Sequence, residues 1–474
     1  MVDLEPHRNA DELVRRLTEA LGPRGVSTDA HELEPLITDW RGRWKGATPV
    51  LVKPASTAEA AAAVSICSAM GFPMTPQGGN SGLVNGGVPY GEVLISMRRM
   101  DKVREVDPLN DSMILEAGVI LTRAQETAAA HGRFFPLSLG AEGVATIGGL
   151  VSTNAGGVAV LRYGMMRDLV LGIEAVLPDG RIWNGLRGLR KDNTGYDLKH
   201  LFIGGEGTLG VVTAASLKLF PAPALRQTAW AVVGSCEDAV ACLALAKAYT
   251  GGAVTGFELI PAFGLDLVMK HIPGVRDPLP SSAPWRVLME ISLARPEGAR
   301  DVIEGCLGAA AEAGLISDAV IAESEAQARM LWKIRENIAV AERAHGKALK
   351  HDVSVPVSRL PEFMSRAEGL VRRLAPGADI IAFGHVGDGN MHYNVTPPPG
   401  ADQDAFVEGE GLIVSRAVHD LVCDLNGSIS AEHGIGRLKR DELAARKSPV
   451  EMDMMRAIKA ALDPRGLMNP GRVL

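Results

Sequence analysis

The stretch Phe383-Gly384-His385-Val386-Gly387-Asp388-Gly389-Asn390-Met391-His392-Tyr393-Asn394 places imidazoles on either side of Asp388-Gly389. That dipeptide favours a two-residue hairpin of type I′. With such a loop His385 faces His392, the two Cβ atoms are roughly 5 Å apart, and one divalent cation can bridge the rings. Asn394 then points to the same face as His392. A tight turn with two satisfied histidines explains this stretch alone equally well. A second stretch adds weight to the metal. In Ser430-Ala431-Glu432-His433-Gly434-Ile435-Gly436 a carboxylate and an imidazole stand together between small residues. His385, His392 and Glu432 would form a two-His, one-carboxylate site for zinc, manganese or iron, leaving His433 free as a base.

Three glycine-rich segments suggest a large ligand. The first is Thr75-Pro76-Gln77-Gly78-Gly79-Asn80-Ser81-Gly82-Leu83. Glycines there bare the backbone N–H groups that wrap an anion such as pyrophosphate. The second runs from Pro136 through Leu139, Gly140, Ala141, Thr146, Gly148 and Gly149 to Thr153, Asn154, Gly156 and Gly157. So many small residues fit where backbone lies flat on something rigid. The third, Gly204-Gly205-Glu206-Gly207-Thr208-Leu209-Gly210, matches GxGxxG. The dinucleotide reading of that motif requires a helix next and an acid about 20 residues on. The chain continues instead with β-branched Val211-Val212-Thr213, and residues 228–232 hold no acid, so a Rossmann fold is excluded.

The elements that must position these groups follow from periodicity. Residues 9–22 read as an amphipathic helix with Leu13, Leu17 and Leu21 at helical spacing. Residues 49–54 read as a strand, and Ser56 or Thr57 caps an Ala-rich helix ending near Gly71. After Pro221 the composition changes. Strands are expected at 230–233, 254–260 and 286–293, and helices at 237–249, 298–314 and 324–345. On the last helix Trp332, Arg335 and Ala339 share a face, and a strand follows from Lys350. Strands and long helices without βαβ turn chemistry indicate α+β organisation.

With 474 residues the chain can bury two or three cores. Its 46% hydrophobic and 22% charged residues are those of a globular protein. A net charge of −7 with scattered Lys and Arg gives no footprint for nucleic acid. The run Ala60–Met70 is too short to span a bilayer. Five dispersed cysteines and an acidic, polar Met1–Pro6 point to a cytoplasmic location with reduced thiols.

Taken together, TPQGGNSGL, IGGLVSTNAGG, GGEGTLGVVT, GHVGDGNMHYN, SAEHGIG and the terminal DPRGLMNPGR resemble one family. It is the FAD-linked D-2-hydroxyacid dehydrogenases of the vanillyl-alcohol oxidase/p-cresol methylhydroxylase superfamily, above all its D-2-hydroxyglutarate and D-lactate dehydrogenase branch. The resemblance spans about Asp39 to Val473. It implies an α+β fold with a two-part FAD-binding domain (1–221), an α+β substrate-binding cap domain with an antiparallel sheet (222–420), and a C-terminal helical segment (421–474) returning to the flavin. It implies that Pro76, Gly78, Gly79, Asn80, Ser81, Gly82 and Leu83 hold the FAD pyrophosphate. Pro136, Leu139, Gly140, Ala141, Thr146, Gly148, Gly149, Thr153, Asn154, Gly156 and Gly157 would wall the flavin and ribityl chain. Glu206, Gly210, Val211 and Asn469 would add contacts. Asn80 and Ser81 stand where relatives that bind flavin covalently offer His or Cys, so FAD is expected to be non-covalent.

The resemblance further assigns His385, His392 and Glu432 to a metal, usually zinc, His433 to the general base, Asn394 to the substrate, and Arg335 and Lys350 to the substrate's distal carboxylate. Read alone, Arg335 is more often the ion-pair partner of a nearby acid on its helix surface and Lys350 a solvated lysine, while Trp332, His345 and His351 read as structural. Ala339 stands where the glutarate-type pattern has threonine, so no hydroxyl is offered there to a second carboxylate. The partners implied are a small 2-hydroxyacid, an electron acceptor that is an electron-transfer flavoprotein, a quinone or a cytochrome, and a second copy in a homodimer, with the oligomeric state left open. Two other classes stay open: a flavin-dependent non-redox transferase of the same superfamily, and a metal-dependent nucleotide-binding hydrolase.

Overall fold

The computed structural model describes residues 9–295 and 297–474; the acidic Met1–Pro6 stretch lies outside them. The described chain forms two compact units. One contains the residues up to Gly157, then Gly164–Ala222 and Glu432–Leu474; the other contains Val158–Tyr163 and Pro223–Ala431.

In the first unit, Ser56 caps the helix Thr57–Met70 by accepting from the Glu59 N–H, and Gly71 ends it in the left-handed conformation. Its alanines allow close packing, and it shares a core with Leu13 and Leu17 of the helix Ala10–Leu21. Beneath lies a sheet ordered Val26–Ser27, Leu51–Val52, Val93–Ser96, Met74–Gln77, its last three strands parallel. A second sheet is antiparallel, with Val211–Lys218 between Ser112–Glu116 and Val170–Val176. The strand beginning at Val211 directly follows Gly210, where a dinucleotide fold would have a helix. The C-terminal segment joins this unit: Met468 bridges Met74 in parallel, Asn469 N donates to Met74 O at 2.7 Å, and buried Arg472 pairs with Glu92 at 2.5 Å.

The second unit is built on one mixed-length antiparallel sheet, ordered Asp318–Ile321, Leu225–Val233, Trp285–Leu293, Val254–Pro261, Ile380–His385, Asn390–Val395, Asp352–Ser354. Alternation assigns its faces. Ala229, Ala231, Val287, Met289, Leu259, Met391 and Val353 pack into one core. Trp230, Leu288, Ile260, Ile381 and Phe383 pack into another, with Ile334, Ile338 and Ala341 from the helices above them. The expected helix 324–345 is two, Glu325–Glu336 and Ile338–His345, separated at Asn337. Among the described residues no helix is long and apolar enough to cross a membrane.

Candidate active site

The first two glycine segments meet backbone to backbone within the first unit. A Cβ on Gly79 would lie 2.0 Å from Val144 O, and one on Gly78 would lie 2.1 Å from Thr146 Oγ1, so only glycine permits the approach. They line a cleft within the first unit. Pro76, Gly78, Gly79, Asn80, Ser81, Gly82, Thr146, Gly148, Gly149, Thr153, Glu206, Gly210, Val211 and Asn469 all line it, and so does His433. Leu83, Pro136, Leu139, Gly140, Ala141, Asn154, Gly156 and Gly157 are not among its lining residues. Asn154 instead ends the helix Ile147–Thr153 in the left-handed conformation, and Gly157 packs on Ser138 O.

The cleft carries unused hydrogen-bonding capacity. Thr146 Oγ1, Asn85 Oδ1, Gln77 Oε1 and Asn469 Oδ1 are buried without a partner among the described residues. Nor do the N–H groups of Gly79, Asn80, Ser81 and Gly82 donate to any described residue. Buried polar groups are normally satisfied, so this cradle fits a ligand bearing both donors and an anionic group, as FAD does. Gln77 and Asn85 escaped sequence reasoning because they read as ordinary loop polars. Glu206 has a different function from a simple ligand contact. Its carboxylate accepts from Ile435 N at 2.7 Å and Gly436 N at 2.8 Å, so it anchors the turn that carries His433. Burial pushes this carboxyl up, against those two hydrogen bonds.

The second unit gathers the other chemistry on one sheet face. The hairpin register departs from the expected two-residue loop: His385 pairs with Asn390, and Phe383 opposes His392. The loop is Val386–Gly389, with Asp388 Oδ1 accepting from Asn390 N at 3.0 Å. Gly389, at φ +80°, lies so close to Val355 that a Cβ would be 2.0 Å from its carbonyl oxygen. The longer loop is what allows that seating. His385 and His392 are therefore diagonal neighbours, with ring centroids 6.0 Å apart. They still share a face, because residues two apart on a strand do.

Neighbouring strands extend this face. Glu258 pairs with His385 and Asp352 with His392. Fully buried Glu258 joins two predicted residues: His385 Nδ1 lies 2.5 Å from its Oε1 and Arg335 Nε donates to its Oε2 at 2.6 Å. Burial would push this carboxyl up; the charges and hydrogen bonds of His385 and Arg335 overcome it and hold it at about 2. Arg335 thus has an ion-pair partner, but it is Glu258 of the sheet and not a neighbour on its helix. Its guanidinium also lies 4.8 Å over the Phe383 ring.

Lys350 Nζ is 3.1 Å from Oε1 of Glu342, itself fully buried on the helix Ile338–His345. Asn394 Nδ2 donates to the other oxygen of Glu342 at 2.8 Å. Asn390 Nδ2 donates to Asp352 Oδ1 at 3.0 Å. His351 is buried against Tyr393 O and Ser415 Oγ, in keeping with a structural histidine. Ala431 N donates to Asp352 O at 3.2 Å, so the chain leaves this unit beside His392's strand partner, and Glu432 is the next residue. Glu258 on the Nδ1 side of His385 is the usual support of a ligating histidine.

The two units correspond to known domain families. Residues 48–185 match the FAD binding domain family, and residues 222–473 match the C-terminal domain of FAD linked oxidases. The chain is 38% identical over 96% of its length, and 80% of the other's, to mitochondrial D-2-hydroxyglutarate dehydrogenase of Arabidopsis thaliana. It is 34% identical to D-2-hydroxyglutarate dehydrogenase of Stutzerimonas stutzeri, covering 97% of this chain and 98% of the other. Substrate-bound p-cresol methylhydroxylase has the same fold, at a TM-score of 0.74 and 16% identity, over 98% of this chain and 96% of that one. The chain belongs to the family of FAD-dependent dehydrogenases that contains these D-2-hydroxyglutarate dehydrogenases. The expected cytoplasmic location is corrected by these relatives, since the Arabidopsis protein is named mitochondrial, although the bacterial one is not. Thiol count and an acidic start do not distinguish two compartments that both keep cysteines reduced.

Proposed function

We propose that this enzyme oxidises a D-2-hydroxyacid to the 2-oxoacid, with non-covalent FAD in the glycine cradle and a divalent metal on His385, His392 and Glu432. The observation that carries this reading is the buried Glu258, which orients His385 and Arg335 together. FAD, when bound, supplies the acceptor for the substrate's Cα hydride. The metal, when bound, supplies a Lewis acid that lowers the pKa of the 2-hydroxyl. His433 takes the hydroxyl proton as general base. Arg335, fixed through Nε, offers its terminal nitrogens to a substrate carboxylate. Asn394 and Lys350 line the position of the substrate's side chain. The reduced enzyme then passes its electrons to a separate acceptor, an electron-transfer flavoprotein, quinone or cytochrome.

The test is anaerobic mixing of the purified, yellow enzyme with D- and L-isomers of lactate, malate and 2-hydroxyglutarate, with and without a chelator. Bleaching by D-acids alone, abolished by chelator while the flavin stays bound, is the expected result. A flavin that no hydroxyacid bleaches refutes the dehydrogenase, and bleaching indifferent to chelator refutes the metal.

A further inference from the structure

Both cations expected to clamp a substrate are matched by carboxylates of the enzyme itself. Arg335 is paired with Glu258 at 2.6 Å, and Lys350 with Glu342 at 3.1 Å. The second pair is the unusual one. Glu342 has no exposed surface, whereas the Lys350 side chain is 43% exposed, so the negative member is the fixed one. The hydrogen bond from Asn394 also fixes that amide. A carboxylate only accepts, so the amide must turn its NH₂ to Glu342 and keep its carbonyl for other partners. Lys350 and Asn394 face each other across neighbouring strands, in the register set by Leu349 with Val395 and Asp352 with His392. One helical turn before Glu342 stands Ala339, with no hydroxyl to give. This end of the site therefore presents a neutralised lysine, an acceptor carbonyl and a buried carboxylate. A second substrate carboxylate brought there meets no net positive charge to offset its loss of solvation, and it lies nearer a fixed carboxylate than a substrate with an uncharged side chain would bring any charge.

We propose that Glu342 is the residue that sets substrate class, selecting D-2-hydroxy monocarboxylates with an uncharged side chain over dicarboxylates. This rests on the dehydrogenase reading above. Discrimination then comes from a built-in repulsive group as much as from attraction.

The test compares wild type with Glu342→Gln, which keeps shape and one acceptor but frees the charge of Lys350. Anaerobic flavin reduction is followed with D-2-hydroxybutyrate and D-2-hydroxyglutarate. Wild type is expected to favour the monocarboxylate in kcat/KM by about tenfold or more, and Glu342→Gln to raise kcat/KM for the dicarboxylate about tenfold, chiefly through KM. Because a buried substitution can impair folding, the wild-type enzyme is also titrated with 2-oxobutyrate and 2-oxoglutarate by flavin difference spectra, where tighter binding of 2-oxobutyrate is expected. Wild-type preference for the dicarboxylate in either measurement, or an unchanged ratio in a folded Glu342→Gln, overturns the assignment. Failure of the underlying reading looks different: neither acid bleaches either protein, and both proposals fall together.

Discussion

Glu258 offers the sharpest test of how the site is held together. It has no exposed surface and serves His385 and Arg335 at once. A carboxyl drawn from its ordinary 4.5 down to about 2 carries roughly 3 kcal/mol of linked stability. The sign follows from the lowered value. The contribution is complete above the unfolded pKa near 4.5 and is lost as pH falls through about 2. Glu258→Leu removes one member of a buried network, which costs roughly 3–5 kcal/mol because Arg335 is left without its counter-charge. For a unit of about 200 residues that lowers the melting midpoint by roughly 6–20 °C at neutral pH. Circular dichroism melts of the full-length holoenzyme measure it. The double change Glu258→Leu with Arg335→Met should recover more than half of the loss, since no charge remains buried alone. Metal affinity, measured by competition with a chromophoric chelator, should fall roughly 10- to 100-fold in the gentler Glu258→Gln as the partner of His385 loses its charge. A Glu258→Leu enzyme with an unshifted midpoint, or a double variant no more stable than the single one, would refute this account.

Two further outcomes are expected. His433→Asn should retain bound FAD and the wild-type melting midpoint yet slow anaerobic flavin reduction by roughly 10²–10⁴-fold; reduction at the wild-type rate removes it as the base. Glu206→Gln sets an NH₂ against one of the two backbone N–H groups it now accepts from. Loosening of the His433 turn should then cost about tenfold in reduction rate, and FAD should be retained less well on gel filtration; normal rate and normal retention would return Glu206 to a passive role.

Much of this molecule was legible because its signals are local. Ser56 with Gly71 delimits a helix, and β-branched residues after Gly210 exclude the dinucleotide fold. Small residues of the glycine segments announce close backbone approach, and Gly79 lies against the backbone at Val144. What failed to show was whatever depends on non-local contact. Asp388-Gly389 signals a two-residue loop, but Val355 sits where Gly389 must pass, and the loop lengthens to Val386–Gly389. The register moved by that change, yet the histidines kept their common face, because the displacement left strand parity intact.

The carboxylates make the deeper case. Glu258 lies in Val-Thr-Gly-Phe-Glu-Leu-Ile-Pro, a strand buried along its whole length; a charge in such a run must find partners, and that was the available signal. Glu342 gave none, because in Ala-Val-Ala-Glu-Arg-Ala-His it reads as a solvated helix charge. Only the fold shows it buried between Lys350 and Asn394. A motif transferred by position brings over the groups that bind, but the groups that oppose them come from outside the motif. Two enzymes with the same arginine, lysine and asparagine can therefore prefer different acids. The difference lies in whether each cation already has a partner before the substrate arrives, and here both do.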